Sequence, residues 1–205
     1  ILGGCGGRMD PPTAYVFPEA FDRITVIKGP QSVLHGPGNS AGTVLFEREP
    51  RRRAEAGAGF YGSLLGGSFG RHDEVLDARA GSPMFEARGL ATRSHSDDYE
   101  DGDGKPVHSR YTRWSANAAL AWTPDERTRL ELTGARSDGE AAYADRGMDG
   151  VAFERSNAGL RFRKDAISPL VEKVEAQAFR NYVDHVMDNY TLRGFTPSPT
   201  MPGPS

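Results

Sequence analysis

Residues 21–49 read FDRITVIKGPQSVLHGPGNSAGTVLFERE, a pattern of strand, turn, Gly-rich loop and strand. β-Branched residues dominate 24–27, and the Gly-Pro pair at 29–30 has the chemistry of a turn, so the first strand ends there. A Gly-rich loop at 36–40 then leads to a second apolar strand at 43–46. On these features alone, the segment also fits an ordinary strand–turn–strand unit of a small globular core.

The composition favours a protein made mainly of β-strands. Of the 205 residues, 37% are hydrophobic and 25 are glycine, a share of glycine well above the usual value of about 7%. Many short strands and turns fit these values better than a helical bundle does. The formal net charge is −3, so nothing in the charge indicates a nucleic-acid partner. The length allows one large domain or two small ones.

No stretch approaches the roughly 18 consecutive apolar residues of a transmembrane helix. The strands of a membrane β-barrel are only half apolar, so a search for long apolar stretches does not detect them. The chain starts at Ile1 without a signal-peptide pattern and ends in a Pro-rich stretch at 196–205. We therefore expect an internal fragment of a longer protein. The single cysteine cannot form an internal disulfide.

A two-residue period begins after the charged segment 48–53 and continues through most of the chain. The clearest apolar stripe runs from Trp114 to Trp122, and polar residues such as Ser115 and Asn117 alternate with it. Such alternation is typical of strands with one apolar face. By this criterion we predict seven strands, centred on 58–64, 76–80, 85–92, 114–122, 129–134, 157–163 and 173–178.

The connections between these strands alternate in length. Three of them are short and three are long and polar; the short ones are 81–83, 123–125 and 164–170, and the long ones are 95–110, 137–152 and everything after 184. This asymmetry is typical of an outer-membrane barrel, in which the apolar side chains face lipid and the charged ones face a watery lumen. Trp114 and Trp122 would then belong to two aromatic girdles. A soluble β-sandwich also alternates, so it remains an alternative.

Two acidic segments, 96–104 and 137–152, are rich in Asp and Gly. Their spacing does not match the calcium loop of an EF-hand, so we predict solvated loops rather than calcium sites. No catalytic constellation is apparent, because no serine has nucleophile-elbow spacing and no loop has the pattern of a phosphate-binding loop. The histidines are scattered, at positions 35, 72, 95, 108 and 185. We therefore expect that the protein is not an enzyme.

Sulfur and imidazole groups occur near both ends of the chain. Cys5 and Met9 lie four apart in GGCGGRM, and the glycines on both sides of the cysteine leave the backbone free to turn both sulfurs toward one point. His185 and Met187 lie two apart, so in an extended strand they point the same way, on the face of Lys173. Soft sulfur donors with one imidazole suit copper, Cu(I) above all, and zinc less well. An incidental cysteine and a chance His–Met pair would produce the same pattern.

The stretch 21–49 resembles the end of the plug domain of TonB-dependent outer-membrane receptors. Those plugs carry a run of the form R-I-x-V-x-K-G-P-x-S-x-L-x-G-x-G-x-x-x-G, which the chain matches at Arg23, Ile24, Val26, Lys28, Gly29, Pro30, Ser32, Leu34, Gly36, Gly38 and Gly42. The chain also resembles the copper-receptor branch of that family, in which a Cys-x-x-x-Met in the plug and a His-x-Met in the barrel hold the metal. This resemblance maps the copper ligands to Cys5, Met9, His185 and Met187.

The resemblance implies a mainly β fold, with the C-terminal part of a plug domain at 1–50 and the first antiparallel strands, about seven, of a transmembrane β-barrel at 51–205. It implies a receptor in the bacterial outer membrane, surrounded by lipid, that captures and imports copper ions as Cu(I) or Cu(II). The TonB complex would act on a plug segment that this sequence does not contain. A siderophore or cobalamin receptor of the same family is an alternative, and so is a soluble secreted β-domain that binds sugar or protein.

Overall fold

The computed structural model describes residues 18, 21–30, 42–49, 52–197, 199 and 203–205, and they are mainly antiparallel β-structure. All nine strands predicted from the sequence are confirmed, and the structure adds β6 and β7, a short hairpin inside the predicted loop 95–110. Among the described residues, no helix has the length and apolar character needed to cross a membrane. The strands are β1 (Arg23–Lys28), β2 (Gly42–Glu47), β3 (Gly57–Gly66), β4 (His72–Gly81), β5 (Phe85–Ser96), β6 (Tyr99–Glu100), β7 (Pro106–Val107), β8 (Tyr111–Asp125), β9 (Thr128–Ala141), β10 (Asp149–Ser168) and β11 (Val171–Asp188).

The described residues fall into two compact units, and the first lies within 16–51. There β1 and β2 form an antiparallel ladder along their whole length. Gly29 follows β1 with φ of 86°, a left-handed conformation that glycine adopts without strain, so the predicted end of the first strand is confirmed. A Cβ on Gly42 would lie 2.7 Å from the carbonyl oxygen of Ile27, so the close approach of the two strands requires glycine there. The loop predicted at 36–40 lies outside the described residues.

The second unit contains a sheet of seven strands in the order β11-β10-β9-β8-β5-β4-β3, in which every neighbouring pair is antiparallel. The β6–β7 hairpin is inserted between β5 and β8. Connections at one end of the sheet, the short-turn end, are 82–84, 126–127 and 169–170. Those at the other end, the long-loop end, are 67–71, 97–110, 142–148 and the chain after β11. The predicted difference in length between the two sets is confirmed.

Several strands are longer than their alternating side chains predict. β9 ends at Ala141 and β10 begins at Asp149, so the prediction of one long loop over 137–152 is wrong. β11 likewise continues to Asp188, past the polar segment predicted to start after 184. The physical reason is that ladder hydrogen bonds join backbone groups, so pairing continues where the side chains no longer alternate.

Side-chain oxygens close the turns of the short-turn end. Ser82 Oγ accepts hydrogen bonds from the backbone N–H groups two and three residues later, at 3.3 and 3.1 Å. Ser168 Oγ does the same, at 3.3 and 3.1 Å. In the third turn, Asp125 Oδ1 accepts the backbone N–H of Arg127 at 2.8 Å. Each turn is therefore stabilised by groups that are neighbours in the sequence, as is usual for Ser and Asp in turns.

The two faces of the seven-stranded sheet have opposite polarity and opposite exposure. On the face with the apolar stripes, Phe60 is 84% exposed and Leu120 is 56% exposed. On the other face, Thr92 and Ser115 are buried, and their hydroxyl oxygens lie 2.9 Å apart. A water-soluble sheet buries its apolar face, so the polarity of this sheet is inverted. We refer to these surfaces as the apolar face and the polar face.

Charged side chains of the polar face pair with one another. Asp77 Oδ2 lies 2.8 Å from the guanidinium of Arg79 and 2.8 Å from that of Arg88. Farther along the face, Arg129 contacts Glu86 at 3.0 Å. Removing charges from bulk water is costly unless each has a partner. Here the partner comes from the same strand for Arg79, from the adjacent strand for Arg88, and from two strands away in the sheet for Arg129.

Candidate metal-capture site

Two of the predicted ligands, His185 and Met187, lie in the last residues of β11, at the long-loop end of the sheet. His185 lies opposite Phe153 of β10, and Met187 lies opposite Gly150. Opposite residues of an antiparallel pair share a face, so His185 shares a face with Phe153. Two residues along β10 from Phe153, and so on the same face, is the residue opposite Ser137 of β9, which belongs to the polar face. Both His185 and Met187 are half-buried. The imidazole and the thioether therefore lie two residues apart on the polar face of one strand.

The His185 imidazole lies against an aromatic ring. Its centroid is 4.8 Å from that of Phe153, and the two ring planes are inclined by 28°, a stacked arrangement. Phe153 is half-buried as well. The orientation of the imidazole is thus restricted on one side by the neighbouring strand.

Cys5 and Met9, the other two predicted ligands, lie outside the described residues. The structure therefore gives no distance between them and β11. In the part of the chain that is described, no three His, Cys, Asp or Glu side chains form a group that could hold a metal ion. One imidazole and one thioether are the donors of the predicted set that the structure brings together.

The histidines that look scattered in the sequence gather at the long-loop end. In the described part of the chain, His72 begins β4, His95 lies near the end of β5, His108 precedes β8 and His185 lies near the end of β11. His72 and His95 are opposite each other, with ring centroids 5.0 Å apart. Their position in the ladder is on the apolar face, so they do not share a face with His185. His35 lies outside the described residues.

A fully buried carboxylate ties the segments of the long-loop end together. Asp149 Oδ2 accepts hydrogen bonds from His108 Nε2 and Arg193 Nε, each at 2.8 Å. Asp149 Oδ1 accepts the backbone N–H of Tyr143 at 2.9 Å. Arg193 in turn donates to the carbonyl oxygens of Tyr143 and Arg146, at 2.9 and 2.6 Å. These residues, the Asp149 cluster, join the segments before β8, before β10 and after β11.

The carboxyl group of this cluster is ionised. Burial by itself raises the pKa of Asp149, but the hydrogen bonds from Arg193 and His108 outweigh burial and lower the pKa to about 2. Asp149 is the first residue of β10 and lies about 30 Å along the strand from Ala158, where the apolar stripe of β10 begins. Sequence reasoning missed this cluster, since the side-chain partners of Asp149 are 41 and 44 residues away and no local motif connects them.

The acidic segment 96–104 uses its carboxylates to shape the β6–β7 hairpin. Asp101 Oδ1 accepts the backbone N–H groups of Asp103 and Lys105, at 2.9 and 3.0 Å. Gly104 has φ of 75°, a left-handed value that a tight turn requires here. Carboxylate contacts to backbone N–H groups favour the predicted solvated loop over a calcium site.

Comparison with known proteins gives one informative class of match. No family model and no curated protein sequence matches the chain. Twenty-eight chains of solved structures do match. Among them is a protein named copper transporter OprC, which is 55% identical in sequence with a TM-score of 0.92. The match covers 100% of this chain and 31% of that one, so the chain spans about a third of the length of this structural relative.

Proposed function

We propose that this chain, a member of the copper-receptor branch of the TonB-dependent family, is part of an outer-membrane receptor that captures and imports copper ions. The membership predicted from the motifs is confirmed by the 55% identity to copper transporter OprC over 100% of the chain. That identity is the single observation that carries the proposal. Activity, cargo and partners belong to a whole receptor, of which the chain would supply a part.

We assign residues 1–50 to the C-terminal part of a plug domain and 51–205 to the first strands of a transmembrane barrel. The small β1–β2 unit and the seven-stranded sheet support this division, since they are separate compact units. The up-and-down order of the seven strands is the order in which a barrel would continue. The short-turn end would then be periplasmic and the long-loop end extracellular.

The inverted polarity of the sheet supports a membrane location. In the proposed barrel, lipid covers the apolar face, and the polar face lines the lumen. Trp114 and Trp122 are both exposed on the apolar face, near opposite ends of β8. Their separation is about 26 Å along the strand, or roughly 20 Å across the membrane at the strand tilt of such barrels, close to the roughly 25 Å apolar band they enclose.

Copper would be captured by ligands from both parts of the chain, namely Cys5, Met9, His185 and Met187. The position of His185 and Met187 on the polar face, at the end with the long loops, supports capture from the outside. A thiolate, two thioethers and an imidazole form a soft donor set that suits copper as Cu(I) or Cu(II). The inner-membrane TonB complex would then act on the plug and release the ion inward, as the family resemblance implies.

The experiment that tests this function compares variants of the full-length receptor. Cys5→Ala removes the thiolate and His185→Ala removes the imidazole, so each should strongly lower the copper retained by the purified receptor in elemental analysis. His72→Ala is the matched control, because His72 lies at the same end of the sheet but on the apolar face. Unchanged copper in both ligand variants would refute the site. A siderophore or cobalamin receptor would keep its ligand in all three variants.

A further inference from the structure

The ring of Phe153 lies beside the residues of β11 that carry the proposed imidazole and thioether. Phe153 is the cross-strand partner of His185, and their ring centroids are 4.8 Å apart with an interplanar angle of 28°. Rings at this separation and angle are stacked, which favours one orientation of each ring over the others. The imidazole therefore has an aromatic wall on one side.

Gly150 leaves the space that this ring occupies. A Cβ built on Gly150 would lie 2.2 Å from Cζ of Phe153 and 2.7 Å from Cε2, distances that no real Cβ tolerates. Gly150 is itself the cross-strand partner of Met187. The Phe153 ring thus extends along β10 from the position opposite His185 to the position opposite Met187, and only glycine at position 150 permits it.

An irregularity in β10 sets up this arrangement. The β10–β11 register shifts between Gly150 and Ala152, and the β9–β10 pairing is interrupted between Gly150 and Arg155. In the interruption, the backbone N–H of Phe153 donates to Asp138 Oδ1 at 3.0 Å. Bulges of this kind redirect side chains and are common beside functional sites. Asp138 holds the backbone from which the Phe153 ring projects.

We propose that Phe153 is a positioning residue for copper capture, and that Gly150 is the gap that admits its ring. The stacked ring holds the His185 imidazole in an orientation from which His185 and Met187 bind the same copper ion. In the wild type, folding has already restricted the rotamers of the imidazole. Without the ring, that freedom would be lost only when copper binds, and the entropy cost would weaken copper binding. Groups that orient a metal ligand are typically worth 10–100-fold in metal affinity. This inference rests on the proposed function.

The first test replaces the flat ring but keeps an apolar side chain. In the full-length receptor, Phe153→Leu should weaken copper binding about tenfold, measured by competition with a chelator of known affinity. The matched control is Phe179→Leu. Phe179 lies on the same face of the sheet as Phe153, but on β11, where it is exposed and distant from the strand end that carries His185. Equal copper affinity of Phe153→Leu and wild type would overturn the inference.

The second test displaces the ring without changing it. Gly150→Ala forces Phe153 aside, so it should weaken copper binding to a similar extent, whereas Gly89→Ala should not, since a Cβ on Gly89 meets nothing within 4 Å. If Gly150 acts through the ring, the double variant Gly150→Ala, Phe153→Leu should bind copper no more weakly than Phe153→Leu alone. Additive losses would contradict this coupling and count against the inference.

A spectroscopic readout separates positioning from a general loss of structure. X-ray absorption of the copper-loaded Phe153→Leu receptor should show weaker scattering from the imidazole and unchanged scattering from sulfur. In a His185→Ala background, Phe153→Leu should have no further effect on copper affinity. If His185→Ala itself leaves copper binding intact, the proposed function fails. If His185→Ala weakens it but Phe153→Leu does not, only the role of Phe153 is refuted.

Discussion

The two ends of the seven-stranded sheet are stabilised in different ways. At the short-turn end, Ser82, Ser168 and Asp125 accept hydrogen bonds from backbone groups two or three residues away. At the long-loop end, Asp149 and Arg193 join groups that are up to 50 residues apart. The described histidines also lie at that second end. Bonds between sequence neighbours close the turns of two or three residues, whereas the longer segments at the other end are held by contacts between residues that are distant in the sequence.

The largest difference between the ends should appear when the Asp149 charge is removed. Asp149→Asn keeps the size of the side chain but removes the carboxylate that pairs with Arg193 and His108. Breaking a buried pair in this way costs about 3 kcal/mol. We expect that loss in the free energy of unfolding of the full-length receptor in detergent, with faster amide hydrogen exchange over 142–148. The control Asp125→Asn, at an exposed turn, should cost less than about 1 kcal/mol. Equal losses would contradict the comparison.

A smaller effect of the same carboxylate should appear in the pH dependence of stability. The pKa of Asp149 is lowered from 3.8 to about 2 in the folded protein. Because the folded pKa is below the unfolded one, the stabilisation is present above pH 3.8 and is lost as the pH falls toward 2. One pKa unit corresponds to about 1.4 kcal/mol, so the wild type should lose about 2 kcal/mol relative to Asp149→Asn over this interval. If the difference in free energy of unfolding between wild type and Asp149→Asn stayed constant from pH 5 to pH 2, this prediction would be refuted.

The sequence predicted the centres of the strands but not their ends. Alternation between Trp114 and Trp122 reports which side chains face each way, so β8 and its neighbours were located correctly. At SDGEA, the end of β9, the alternation disappears while the backbone pairing continues to Ala141. Side-chain pattern and backbone pairing are separate physical quantities, and the sequence displays the first more directly than the second.

The candidate site divides in the same way. The i, i+2 spacing of His185 and Met187 predicted that they share a face, because strand geometry alone decides it. The contact with Phe153 depends on the register of β10, including its irregularity near Gly150, which no local pattern announces. The convergence of Cys5 and Met9 with these residues stays a prediction, since both lie outside the described residues.

The smallest expected effect is at the short-turn end. Ser168→Ala removes the hydroxyl that accepts the backbone N–H groups of Leu170 and Val171, at 3.3 and 3.1 Å. These groups are exposed and can bond to water instead, so the variant should lose about 0.5 kcal/mol, at the low end for a hydrogen bond. Ser168→Thr keeps the oxygen and should match the wild type in the midpoint of thermal unfolding. If Ser168→Ala lowered the free energy of unfolding as much as Asp149→Asn does, one side chain would matter as much to a turn of two residues as Asp149 does to the three segments it joins. The contrast between the two ends would then reflect loop length alone, and the long-range contacts of Asp149 would no longer explain how the long-loop end keeps its shape.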